Sequence, residues 1–95
     1  MDDSWPFADP PNASVVTQHS ILKEDRPILL VVHDQEDGGW SFLDGGEFRV
    51  EAAMLVALKT VVSHDASIAA LADLPLGWQA QRAGPGEPWK REKSE

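Results

Sequence analysis

Cysteine is absent from the chain, which excludes disulfide bonds, thiolate metal ligands and cysteine nucleophiles. A long apolar run is also lacking, because the longest one, ILLVV at 28–32, is far shorter than the ~20 residues that span a bilayer. The amino terminus, MDDSWPF, is acidic where a secretory signal peptide would be basic. We therefore expect a cytoplasmic protein that does not enter a membrane and that owes its stability to packing.

Basic residues are scarce: the chain has 8 lysines and arginines against 16 acidic residues, and its formal net charge is -8. Only four of these bases fall within residues 1–81. Nucleic-acid affinity comes largely from lysine and arginine side chains that displace phosphate counterions, so DNA and RNA are disfavoured as partners. The same negative charge speeds encounter with a cationic partner, which favours a basic protein surface.

Length and composition predict one small folded domain. A chain of 95 residues with 42% hydrophobic and 25% charged residues is typical of a globular protein with a single core. Residues 1–12 contain three prolines and are expected to form an irregular arm, from which Trp5 and Phe7 can still dock on the body. Residues 13–92 form the predicted α+β domain, and residues 93–95 form a polar tail.

Five segments have the apolar or alternating pattern of strands: 13–23, 28–33, 40–44, 76–82 and, as an edge strand, 88–92. Two segments predict helices. A long helix is expected over 50–62, and a short one begins after Asp65 as its N-cap and ends before Pro75. The order of these elements predicts a mostly antiparallel sheet of four to five strands with one long and one short helix on one face.

The long helix is predicted from a continuous apolar stripe at helical spacing, formed by Val50, Ala53, Met54, Ala57, Leu58 and Val61. The residues that widen this stripe beyond one face are Leu55, Val56 and Val62. Such a helix is expected either to lie between the sheet and another element or to meet a second subunit. A homodimeric structural protein is therefore one functional alternative.

Acidic residues and glycines are concentrated at 33–47, HDQEDGGWSFLDGGE, around a predicted strand. The carboxylates expected to keep the first turn in water are Asp34, Glu36 and Asp37. The glycine pair that follows supplies the positive φ angles of a tight reversal, so this stretch is predicted to be a hairpin loop. The same chemistry repeats at Asp44 and the next two glycines, where the second strand ends.

Metal binding and catalysis find little support in the motifs. An EF-hand calcium loop starting at Asp34 would place Gly38 and Gly45 at two ligand positions, where they offer no side-chain oxygen. The three histidines lack the i, i+4 spacing of a helical zinc site, and neither a nucleophile elbow nor a phosphate-binding glycine loop is present. We predict no catalytic residue, metal or cofactor; a small enzyme or ligand-binding domain that uses the acidic loop is an alternative.

A family resemblance rests on DGGWSFLDG at 37–45, DASI at 65–68 and LADLPLG at 71–77, together with Arg82. These motifs resemble the immunity protein 33-like family, small bacterial domains first catalogued as of unknown function. The resemblance covers roughly residues 28–92 and implies an antidote-like protein that binds and blocks a partner and performs no chemistry. The short link between Gly45 and the predicted helix, and the proline-rich arm, depart from the family pattern.

The function expected from these observations is that of a non-catalytic protein-binding module. Its candidate partner-binding residues are Asp34, Glu36, Asp37, Trp40, Asp44, Glu47 and Trp89, which would face a basic or mixed surface. Burial in the core is the competing interpretation for Trp40. Trp89, between Pro88 and Lys90, is the best candidate for an exposed ring.

Overall fold

The structure of the protein is a computed structural model that describes residues 5–46 and 49–94. It contains six strands, β1 (Ser14–Gln18), β2 (Leu30–His33), β3 (Trp40–Leu43), β4 (Ala53–Ala57), β5 (Trp78–Gln81) and β6 (Lys90–Lys93). The other elements of the described ranges are two α-helices, α1 (His19–Glu24) and α2 (Leu58–His64), and two 3₁₀ helices, Val50–Ala52 and Ala66–Leu71. The α+β class predicted from the sequence is confirmed.

The strands form one mixed sheet in the order β4-β1-β3-β2-β5-β6. β1 and β3 run parallel, with Val16 opposite Ser41. The other neighbouring pairs are antiparallel, which agrees with the prediction of a mostly antiparallel sheet. The sheet has more strands than the four to five expected, because part of the predicted long helix is a strand. Its two edges are β4 and β6.

The hydrophobic core lies on one face of the sheet. Val15, Val31 and Phe42 project from the strands into one buried cluster that also contains Leu58 and Val61 of α2. Further buried members come from α1 and from the second 3₁₀ helix, namely Ile21, Ile68 and Leu71. Since side chains alternate across a strand, the neighbours of the core residues in β1 to β3 lie on the opposite face, where they are half-buried or exposed.

The amino-terminal arm packs against this core. Phe7 is buried and meets the Trp40 ring edge-on, with the ring centroids 5.2 Å apart. The Trp5 indole donates a hydrogen bond to the backbone carbonyl of Asp9 at 2.7 Å, which closes the arm on itself. At the other end of the chain, β6 ends at Lys93, one residue inside the segment predicted as a tail.

The long helix predicted over 50–62 is wrong. The segment divides into the 3₁₀ helix Val50–Ala52, strand β4 and helix α2. β4 pairs antiparallel with β1 along its whole length, from Ala53 opposite Gln18 to Ala57 opposite Ser14. These backbone hydrogen bonds to a distant segment outweigh the local helical preference, and α2 begins only where the pairing ends.

The strand predicted over 13–23 is correct for its first half only. β1 ends at Gln18, and α1 follows directly, with Ile21 buried beneath it. The helix ends at Glu24 and is followed by the C-cap Asp25, whose φ of 60° is the left-handed conformation that terminates many helices.

The remaining strand predictions are confirmed, since β2, β3, β5 and β6 fall within or overlap 28–33, 40–44, 76–82 and 88–92. Asp65 is an N-cap, as predicted: its carboxylate accepts a hydrogen bond from the Ser67 backbone N–H. The helix that it caps is a 3₁₀ helix. Within the described ranges, no helix has both the length and the apolar content needed to cross a bilayer.

Candidate protein-binding surface

The acidic loop, defined as residues 34–39, connects β2 to β3 and is held by its own hydrogen bonds. The Asp34 N–H donates to the Gly39 carbonyl at 2.8 Å, and the Gly38 N–H donates to the Asp34 carbonyl at 3.0 Å. The Asp34 and Asp37 carboxylates each accept a backbone N–H two residues later, both at 2.8 Å. Gly38 has φ 72°, which a residue with a side chain adopts only at a cost, whereas Gly39 does not have the positive φ that was predicted for both glycines of the pair. The predicted hairpin loop is confirmed, and its shape is fixed by local contacts.

The carboxylates of this loop are open to solvent and to a partner. Asp34, Glu36 and Asp37 are all exposed. Among residues 5–46 and 49–94, no lysine or arginine forms an ion pair with any of them. The three negative charges of this ordered turn are therefore not paired with a lysine or arginine in the part of the chain that the structure describes.

Trp40 follows the loop and lies in the core, with only 3% of its surface exposed. Its ring stacks on the His33 ring, with centroids 3.8 Å apart and planes 12° apart. Its indole N–H donates to the Asp9 carboxylate at 3.2 Å. Of the two interpretations of Trp40, burial is the one that the structure bears out, and the ring offers no face to a partner.

His33 is oriented by a hydrogen bond to the loop before β5. Its Nδ1 lies 2.7 Å from the Leu74 carbonyl oxygen, and since a carbonyl only accepts, Nδ1 carries the proton. In the neutral ring Nε2 is then an acceptor. A cavity of about 260 Å³ beside it is lined by Val32, His33, Asp34, Gln35, Gly77 and Ser94. Ser94 lines the same cavity, but among the described residues its hydroxyl is not hydrogen-bonded to the His33 ring.

The described residues contain no group of three or more histidine, aspartate or glutamate side chains placed to hold a metal ion.

Asp44 lies at the opposite end of β3 from the acidic loop and is engaged within the fold. Its carboxylate accepts the Ser20 hydroxyl at 2.7 Å and the Gly46 N–H at 2.9 Å. The Ser20 hydrogen bond is the main reason that the pKa of Asp44 lies below its ordinary value; the Gly46 N–H and the charge of Arg26 act in the same direction against partial burial. Asp44 thus joins α1 to the end of β3.

Trp89 lies at that same far end, in the connection between β5 and β6. Its ring is half-buried and packs against the core, with the Arg82 guanidinium 4.3 Å above its centre. Glu47, the remaining candidate, lies outside the described residues. The six described candidates therefore do not form one surface: three lie together in the acidic loop, whereas Trp40, Asp44 and Trp89 make contacts within the fold.

Arg82 lies at the end of the sheet opposite the acidic loop, where it donates hydrogen bonds to three other segments or side chains. Its Nη2 donates to Asp65 at 2.9 Å, its Nη1 to the Ser67 hydroxyl at 3.1 Å and its Nε to the Ile28 carbonyl at 3.0 Å. A cavity of about 360 Å³ opens beside it. Because each guanidinium nitrogen already donates to the protein, we assign Arg82 a structural role.

The pKa of Asp65 reflects this cluster. Partial burial alone would raise it, but hydrogen bonds from the Ser67 hydroxyl and N–H, together with the Arg82 charge, outweigh burial and hold the pKa below its ordinary value. Asp65 is therefore ionised at neutral pH and anchors the start of the second 3₁₀ helix.

One exposed leucine, Leu76, lies beside Gly38 of the acidic loop. Two larger exposed apolar surfaces lie elsewhere, in the segment predicted as the long helix, where Val50 belonged to the apolar stripe and Leu55 to the residues that widen it. Val50 is 78% exposed and Leu55 is 73% exposed, both at or next to the β4 edge. Residues 53–57, AMLVA, are all apolar, so the sequence carries no alternation that could have located Leu55 on the exposed face.

Comparisons with protein-family models, with curated proteins and with solved structures found no match. The resemblance to the immunity protein 33-like family therefore stays a prediction from short motifs.

Proposed function

We propose that this protein is a non-catalytic protein-binding domain that uses the acidic loop to dock on a basic patch of a partner. The observation that supports the proposal is the group of three exposed carboxylates on an ordered turn, none of which pairs with a lysine or arginine among the described residues. A turn that is already ordered loses little conformational entropy when a partner binds.

The charge of the chain favours the same kind of partner. A net charge of -8 accelerates encounter with a cationic surface, and the acidic loop provides a local concentration of that charge. Binding of this type weakens as salt rises, because exposed charges are screened over about 8 Å at physiological ionic strength. An antidote-like role toward a toxin, as the motif resemblance implies, and a cytoplasmic location are further parts of this proposal.

The test is affinity capture with a variant that removes charge but keeps shape. Asp34→Asn, Glu36→Gln and Asp37→Asn combined neutralise the loop, while each asparagine keeps an oxygen that can accept the backbone N–H. The matched control neutralises three exposed acids elsewhere, Glu24→Gln, Asp25→Asn and Glu87→Gln. Bound proteins are quantified by mass spectrometry at low and high salt.

A partner captured in stoichiometric yield by the wild type and the control, lost with the neutral loop and weakened by salt, supports the proposal. Equal capture by all three proteins would contradict it. If no protein is captured and a small-molecule thermal-shift screen gives a ligand, the alternative of a ligand-binding domain or small enzyme replaces it.

A further inference from the structure

The two edges of the sheet differ in how they are protected. β6 exposes Lys90, Arg91, Glu92 and Lys93, so every position of that edge bears a charge. β4 has the sequence AMLVA, without a charged residue, and its Leu55 is among the most exposed apolar side chains of the described chain. Because an uncharged edge strand is a template for pairing with another strand, proteins normally protect it with charge or cover it.

Hydrogen-bond directions show which backbone groups of β4 point outward. The Leu58 N–H donates to the Ala13 carbonyl of the neighbouring segment at 2.8 Å. Backbone groups alternate in direction along a strand, so Met54 and Val56 also point toward β1. Ala53, Leu55 and Ala57 therefore point away from the sheet.

Some of these outward groups already have partners. The Ala53 N–H donates to the Val50 carbonyl in the preceding turn, and the Ala57 carbonyl belongs to the N-cap of α2, where it begins the helical hydrogen bonds. Four groups are left, and within the described ranges no backbone hydrogen bond uses them: the N–H and C=O of Leu55, the N–H of Ala57 and the C=O of Ala53.

We propose that β4 pairs antiparallel with β4 of a second copy of this chain, about a two-fold axis at Leu55. In this register the Leu55 groups of the two copies bond to each other, and the Ala57 N–H of each copy donates to the Ala53 carbonyl of the other. Every free outward group gains a partner, and the groups that are already bonded are not needed. The two sheets then form one continuous sheet.

The side chains that meet in this register are also complementary. On the face opposite the core, Leu55 meets Leu55, and Ala53 meets Ala57. On the core face, Met54 meets Val56. Apolar cross-strand pairs of this kind stabilise a sheet, and none of them places a charge at the seam.

Charges at both ends of the seam match a second copy in particular. Glu51 lies four positions before Leu55 and Lys59 four positions after it, and both are exposed. Two-fold pairing about Leu55 thus brings Glu51 of each copy toward Lys59 of the other, twice per dimer. An interface of this type is closed, because the remaining edge of each copy is the charged β6, so association stops at the dimer.

Light scattering after size exclusion, from micromolar to millimolar protein, measures the oligomeric state. The wild type is expected to approach twice the 10.4 kDa of one chain. Ala57→Pro removes an outward N–H where φ is already -71°, close to the value that proline requires, so the monomer fold is retained and the dimer is lost. A second variant, Leu55→Lys, places a charge at the centre of the seam and is also expected to abolish the dimer. Its control is Leu76→Lys, at another exposed leucine, and circular dichroism checks the fold of every variant.

Charge exchange tests the register itself. Glu51→Lys places two lysines together at each end of the seam and is expected to weaken dimerisation roughly five- to thirtyfold. The double variant Glu51→Lys with Lys59→Glu restores opposite charges and returns the affinity to near the wild-type value. A monomeric wild type at all concentrations overturns the proposal, as does a dimer that Ala57→Pro leaves intact or whose affinity the double variant fails to restore.

Discussion

The Arg82 guanidinium lies 2.9 Å from the Asp65 carboxylate, and the Arg82 side chain is only 3% exposed. Two more of its nitrogens donate to the Ile28 carbonyl and the Ser67 hydroxyl. One side chain thus joins the end of β5, the segment before β2 and the start of the second 3₁₀ helix. Elements that are far apart in sequence are held together by a single charged group.

Replacing Arg82 by methionine is expected to reduce the free energy of unfolding by about 3 to 5 kcal/mol, because it leaves the Asp65 carboxylate and the Ile28 carbonyl without their donor. The measurement is urea denaturation followed by tryptophan fluorescence. Arg91→Met, which breaks the exposed pair with Asp73, is the control, with an expected loss below about 1 kcal/mol. Equal losses for the two variants would show that Arg82 has no special role.

Stability is expected to fall in acid because the pKa of Asp65 is lowered in the folded protein. A carboxyl with a depressed pKa stabilises the fold above its ordinary value of 3.8 and loses this contribution as the pH falls through the folded pKa. Asp65→Asn should therefore be less stable than the wild type at pH near 7, and the difference should narrow below about pH 4.

Ser67→Ala removes a hydrogen bond to the Asp65 carboxylate and should raise the pKa of Asp65 in an NMR titration. A difference between wild type and Asp65→Asn that is constant with pH would contradict the assignment.

Local chemistry was sufficient to predict the hairpin formed by β2, the acidic loop and β3. Alternation around Trp40 and Phe42 indicates a strand, and the turn needs only Gly38 and short-range hydrogen bonds that the aspartate carboxylates accept from backbone N–H groups. The same holds for Asp65, because an N-cap acts within two residues. Features that are determined by neighbours in sequence can be read from the sequence.

The segment 50–62 was misassigned because residues 53–57 are apolar throughout, and a short apolar run fits a helix and a strand equally well. The apolar stripe fits a helix, yet within β4 the residues Met54 and Val56 face the core while Leu55 faces away. The choice is made by pairing with β1, some forty residues earlier in the chain. Leu58 and Val61, one helical turn apart and both buried, keep the helical pattern where this pairing ends.

Prediction of the candidate site from the sequence was limited in the same way, because some of its residues depend on contacts with distant segments. The exposure of the loop carboxylates follows from their charge and their glycine neighbours, and it was predicted. The burial of Trp40 depends on Phe7, His33 and Asp9, which come from two other segments. The hydrogen bond of Asp44 to Ser20 was not predicted, because Ser20 belongs to a helix that the sequence interpretation did not foresee.

Gly38→Ala is expected to lower stability by about 1 to 2 kcal/mol, because Gly38 has φ 72° and a side chain disfavours that conformation. A Cβ at this position would meet only Leu76 at 4.0 Å, so the cost comes from the backbone and not from a clash. Gly38→Asn is the matched comparison and should lose less, since asparagine tolerates the left-handed region. Thermal unfolding of the three proteins gives the order, and an asparagine variant less stable than the alanine variant would contradict this explanation.

Variants of Trp40 can separate an effect on stability from an effect on partner binding. Trp40→Ala is expected to cost about 3 to 5 kcal/mol in urea denaturation, because it empties a core position and removes the surface on which His33 stacks. Trp89→Ala should cost less, since the Trp89 ring is only half-buried. Trp40→Phe keeps an aromatic ring and loses the hydrogen bond to Asp9, so the fold should survive with a loss of about 1 to 2 kcal/mol. If the acidic loop is the docking surface, Trp40→Phe captures the same partner as the wild type, and a folded Trp40→Phe that fails to capture it would place the indole in the interface.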